Sequence, residues 1–107
     1  MKIANLIISL LLLIAFQDIK IIYNLTGDVL YRFEKGKVYD GKQDHVGYYE
    51  LKDDALFIYN KERHLKTVFL PDGFIYNPEF KGYKGKIIDN RLYDKGLKPW
   101  GIINRKP

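Results

Sequence analysis

Ile22-Tyr23-Asn24, Val38-Tyr39-Asp40, Ile58-Tyr59-Asn60, Ile75-Tyr76-Asn77 and Leu92-Tyr93-Asp94 are five copies of one phrase: an aliphatic residue, a tyrosine, then Asn or Asp. The tyrosines stand 16, 20, 17 and 17 residues apart. That period is too even for chance and too short for a unit containing a helix. Repetition at a fixed period marks units that cannot each bury a face alone and so share a core.

Between the copies the chain alternates short β-branched and aromatic runs with Gly, Asn, Asp and Pro, the pattern of successive hairpins. Strands are expected over Ile19 to Tyr23, Val29 to Glu34, His45 to Leu51, Ala55 to Tyr59, His64 to Leu70, Tyr83 to Ile88 and Pro99 to Ile103. Pro71-Asp72-Gly73 is the strongest turn signal, because proline presets the first turn angle and glycine accepts positive φ. Gly82 and Gly85 predict a bulge or break in the strand they occupy. The second unit is the longest, and its extra residues are expected to enlarge a turn. No stretch beyond residue 18 keeps apolar residues at helical spacing, so residues 18–107 are read as a single all-β domain. Its repeated short β-hairpins are expected around a common pseudo-symmetric core. Period-two alternation predicts the aliphatic member of each pair inside and the tyrosine at the rim. The following Asn or Asp is expected to open a turn by accepting a backbone N–H two residues on.

These units, Ile22-Tyr23-Asn24-Leu25-Thr26-Gly27-Asp28-Val29 and Leu92 through Gly101 in particular, resemble the repeats of the four-fold beta flower family, with a weaker similarity to YD and WG repeats. The resemblance implies short hairpins around an axis and brings no catalytic residues. Units two to four lack the glycine that usually sits a few residues after the tyrosine, as Gly27 and Gly96 do in units one and five, and five openings stand where four petals are implied.

Residues 1–17 are different in kind. After Lys2, the fourteen residues from Ile3 to Phe16 include only Asn5 and Ser9 as polar members. Fourteen is short of the roughly twenty that a transmembrane helix needs. A positive start followed by an apolar run of this length matches a signal peptide, with an uncleaved N-terminal anchor as the alternative. The protein is therefore expected to be exported: periplasmic, cell-surface or secreted. Membrane contact is expected only through this segment.

Composition narrows the function. With 107 residues and no cysteine, the core holds by packing alone, without disulfides or thiolate metal sites. Nine Tyr, six Phe and one Trp supply the large side chains that packing needs. The formal charge of +5 is dispersed, with no basic run beyond Arg105-Lys106, which argues against a nucleic-acid partner. Ser9 is the single serine, so serine and cysteine triads are excluded from the domain. His45 and His64 fall at similar places in neighbouring units but lack the paired spacing of a metal site. Glu34 and Glu50 are expected on a salt-bridged rim rather than in a carboxylate hydrolase, the weakest functional reading. Nothing calls for a cofactor.

Tyr83, Lys84, Lys86 and Trp100 are the candidate ligand-binding residues, with Phe80 nearby. Lysines interleaved with aromatics can hold a glycan or an anion by charge and stacking. The bland alternative is an exposed edge strand guarded by lysines. The leading expectation is a non-enzymatic interaction or structural module with a protein or glycan partner, and the glycan- or anion-binding domain stands second.

Overall fold

A computed structural model describes residues 16–78 and 82–106. It is all-β apart from one 3₁₀ turn, Phe16–Asp18. Ten strands follow: β1 Ile21–Tyr23, β2 Val29–Glu34, β3 Lys37–Asp40, β4 His45–Lys52, β5 Ala55–Asn60, β6 Leu65–Phe69, β7 Phe74–Asn77, β8 Gly82–Ile88, β9 Arg91–Asp94 and β10 Pro99–Ile103. Each pairs antiparallel with its neighbours in sequence, and β1 pairs with β10 to close the barrel. The aliphatic-tyrosine pairs of the five phrases fall on β1, β3, β5, β7 and β9, so five units make the closed ring.

Closure removes every sheet edge. The expected edge strand at residues 82–86 is therefore an interior member, β8, bonded to β7 and β9 on either side. The second unit is long because the β4–β5 ladder is long, running from Gly47↔Asn60 to Lys52↔Ala55 and reversing through only Asp53-Asp54. Its extra residues lengthen strands, not a turn.

Loops at the two ends differ. At one end, the residue after the repeat tyrosine opens a five-residue turn. Asn24, Asp40 and Asp94 each accept through Oδ1 the N–H groups two and four residues on, at 2.9–3.0 Å. Asn60 accepts that of His64 at 2.9 Å. This is the expected Asx turn with a second bond added. The other end carries tight reversals at Lys35-Gly36, Asp53-Asp54 and Asp89-Asn90, all at positive φ as two-residue hairpin turns require. It also carries the Leu70–Gly73 turn, closed by the Gly73 N–H on the Leu70 carbonyl at 2.9 Å.

Alternation turns Ile22, Val38, Ile75 and Leu92 into the interior, where they are 0–3 % exposed, while the five repeat tyrosines are half-buried. The tight-turn end is filled by Phe33, Leu56, Phe69, Ile87 and Ile103. Phe16 and Ile19 are buried in the same cluster, with the Phe16 ring 6.0 Å from that of Phe69. Ile19 was expected in the first strand. It instead follows the 3₁₀ turn, its N–H bonded to the Phe16 carbonyl at 3.0 Å. Among the described residues the packed core thus already includes Phe16, within the stretch read from composition as leader. The rest of that leader lies outside the described residues.

Candidate functional site

In each unit the register slips by one residue between the aliphatic member of the phrase and its tyrosine. Ile22 faces Tyr31 while Tyr23 faces Val29. Val38 and Tyr39 face Gly47 and His45. Ile58 and Tyr59 face Thr67 and Leu65. Ile75 and Tyr76 face Gly85 and Tyr83, and Leu92 and Tyr93 face Gly101 and Pro99. The residues left over are Leu30, Val46, Lys66, Lys84 and Trp100. A bulge puts two residues opposite one, bends the strand and re-aims side chains, and barrel rims are a common place for it. Five equivalent bulges therefore make a ring below the Asx turns.

An open cavity of about 590 Å³ lies within the barrel at this end. Eight strands leave an interior just wide enough for side chains or one small ligand, and ten leave more. Its apolar wall includes Ile22, Phe33, Val38, Ile58, Phe69 and Ile75. Of the bulge ring, Val46, Lys66, Lys84 and Trp100 line it, and Leu30 packs on the core beside Tyr31, which also lines it. Asp40, Asn60 and Asp94 stand at the mouth. Their Oδ1 atoms hold the turns, which gives these side chains a structural task.

Thr67 is the one buried polar side chain among the described residues, 9 % exposed. Lys84 on β8 reaches over β7, and its Nζ donates to Thr67 Oγ1 on β6 at 3.1 Å.

The four sequence-derived candidates divide. Trp100 and Lys84 meet at the cavity. Tyr83 lies on the outer wall, 36 % exposed, its ring edge-on to Phe74 with centroids 5.5 Å apart. Lys86 is opposite Phe74 and Tyr93 and lines no part of the cavity. Phe80 lies outside the described residues. His45 is held between Tyr39 and Tyr48, with Nε2 2.8 Å from the Gly47 carbonyl, and His64 is exposed. No group of three metal-ligating side chains assembles among the described residues. Glu34 pairs with Arg32, whereas Glu50 is exposed on β4 opposite Phe57, so the two do not form a symmetric salt-bridged rim.

Lys66 and Val46 escaped the sequence reading. Their signal was the repeat itself: the bulged residue stands seven places after its tyrosine in four units (23 to 30, 39 to 46, 59 to 66, 93 to 100) and eight in the fourth (76 to 84).

Fold and site together define a small antiparallel barrel, filled at one end and open at the other onto a largely apolar cavity. No family model, curated protein or solved structure matches the chain.

Proposed function

We propose that the protein is an exported, non-enzymatic binding barrel that takes up a small ligand through its Asx-turn end. The observation that carries this is the contrast between two pseudo-symmetric rings. The inner ring is uniformly aliphatic: Ile22, Val38, Ile58, Ile75 and Leu92. The bulge ring holds two aliphatic residues, two lysines and the single tryptophan. A purely structural barrel asks the same of every unit at both levels. Unlike side chains at a level that surrounds an open cavity suit recognition of a particular ligand, and the cavity size falls within the range of about 300–1,000 Å³ usual for small-molecule sites. The positively charged, apolar leader supports export, and hairpins set around an axis support kinship with the four-fold beta flower repeats, with five petals in place of four. Strands of three to eight residues are shorter than the roughly nine to eleven that cross a bilayer, so membrane contact is assigned to the leader alone.

Thermal unfolding in the presence of glycan, nucleotide and apolar-acid panels tests the proposal. A ligand at about a hundred times its Kd adds about 2.7 kcal/mol to stability, a readily measured rise in Tm. At least one class should raise Tm, and Val46→Trp, which adds bulk to the cavity wall, should diminish the rise. A panel with no effect, or a rise unchanged by the added bulk, overturns it.

The exposed Phe74–Tyr83 pair favours a second reading, an interaction module working through the outer wall. Replacing both with serine would then abolish capture of a protein or glycan partner while leaving cavity binding unchanged.

A further inference from the structure

Building on that open cavity as the binding site, we infer that its ligand is an amphipathic monoanion, a carboxylate carried on an apolar chain or ring. The carboxylate is received by Lys84 and Thr67, and the apolar body lies against Trp100 and the aliphatic ring.

The placement of Lys84 carries the inference. Asp94 is the cross-strand partner of Gly85, the next residue along β8, so an acidic side chain is close at hand. Lys84 makes no ion pair with it. The amine instead extends over β7 to the Thr67 hydroxyl, a neutral acceptor. An ammonium has three donors and only one is used there, while the hydroxyl, having accepted, retains its own O–H to donate. A cationic N–H and an O–H thus converge on one point of the cavity wall. Two adjacent donors, one of them charged, suit the two oxygens of a carboxylate, and charge-assisted bonds of this kind are about twice as strong as neutral ones.

The lining also has polar members in Tyr31, Tyr59, Asp40, Asn60 and Asp94, but its wall includes the six apolar side chains Ile22, Phe33, Val38, Ile58, Phe69 and Ile75. A glycan lying against those six would leave the hydroxyls it turns toward them without partners, at a cost of about 1–3 kcal/mol for each group. An apolar body loses nothing. Trp100 then offers a flat wall for van der Waals contact rather than a sugar-stacking platform on the outside.

Trp100 is the only tryptophan in the chain, so its emission reports the cavity and is silent to events at the leader. The full chain is titrated with decanoate, with decanol and with a neutral oligosaccharide, following Trp100 fluorescence. Decanoate should saturate the signal and bind on the order of ten-fold more tightly than decanol, the factor that one hydrogen bond to a charge supplies. Lys84→Met should remove that ten-fold preference and leave decanol affinity unchanged. Thr67→Val should weaken decanoate in the same direction. Equal binding of decanoate and decanol, or tighter binding of the oligosaccharide, overturns the ligand class while leaving the cavity as a binding site. No saturable change with any of the three, together with no thermal shift across the wider panels, overturns both.

Discussion

The side-chain oxygen of Asn104 accepts the backbone N–H of Lys20 at 2.8 Å, joining residues 84 positions apart. The same oxygen accepts from Ile21 at 3.1 Å, and Nδ2 donates to the Asp18 carbonyl at 2.8 Å. Ile22↔Ile103 and Tyr23↔Ile102 pair across the seam, and the Asn104 backbone N–H adds a bond to the Ile21 carbonyl at 2.7 Å. Asn104 acts there as one more rung, copying a backbone amide with its side chain.

Asn104→Ala should therefore destabilise the barrel by about 2 kcal/mol, since three exposed bonds are lost and alanine tolerates the φ of 62° less well than asparagine. Asn104→Asp, which keeps the acceptors and loses the donor, should cost less. Urea midpoints of the two variants measure the difference, and equal midpoints for Ala and wild type would remove Asn104 from the closure.

Leu97 offers a change in the opposite direction. Gly27 and Gly73 fill the left-handed position of their turns at φ 94° and 98°, whereas unit five places Leu97 there at φ 65° with its glycine one residue early. Leu97 is 55 % exposed, so its side chain contributes little packing. Leu97→Gly should stabilise by about 0.5–1 kcal/mol through release of backbone strain, offset in part by the greater freedom of an unfolded glycine. Thermal denaturation should show a rise of a few degrees, and a fall would mean that Leu97 is held by contacts outweighing its backbone cost.

A close approach between repeats fixes Gly47. A Cβ at that position would lie 2.1 Å from the carbonyl oxygen of Tyr59 on the adjoining unit. Because the obstacle is backbone, relief requires strands β4 and β5 to separate. Gly47→Ala is expected to cost about 1–3 kcal/mol or more, read as a lowered urea midpoint. Val46→Ala, one residue away, should cost less, because it trims a partly buried side chain without moving backbone.

The hairpins were legible because each β-branched or aromatic run is bounded by residues with their own turn chemistry, as Pro71-Asp72-Gly73 shows most plainly. The inward aliphatic ring followed from alternation alone. The site was half legible, and the bulges explain why. Counting back by twos from buried Ile87 through Gly85 puts Tyr83 inside and Lys84 outside. One extra residue in β8 reverses that, sending Lys84 to the cavity and Tyr83 to the outer wall. The same slip turns Trp100 inward on β10. A bulge leaves no mark in a single strand's hydrophobic pattern, but when the copies are compared it leaves an offset from the tyrosine of seven residues in four units and eight in the unit of Lys84. Phe16 was hidden for a different reason: it ends an unbroken apolar run, so nothing local separates leader from core.

Phe16 therefore sets where the chain can be cut without damage to the barrel. Its ring is 2 % exposed and packs on Phe69 at the tight-turn end. Removing a buried phenylalanine costs about 3–5 kcal/mol, from lost transfer free energy and the void left behind, which is a large share of the stability of a domain this size. Phe16→Ala should lower the urea midpoint accordingly, while Phe16→Leu, which refills most of the volume, should recover much of the loss. A chain beginning at Asp18 should be as unstable as Phe16→Ala, so a processed form should retain Phe16 at or near its N-terminus. Mass spectrometry of the protein recovered from its own cells and their medium reads that terminus directly. A mature chain starting at residue 18, with the midpoint of the longer form, would show that the barrel closes without its phenylalanine plug.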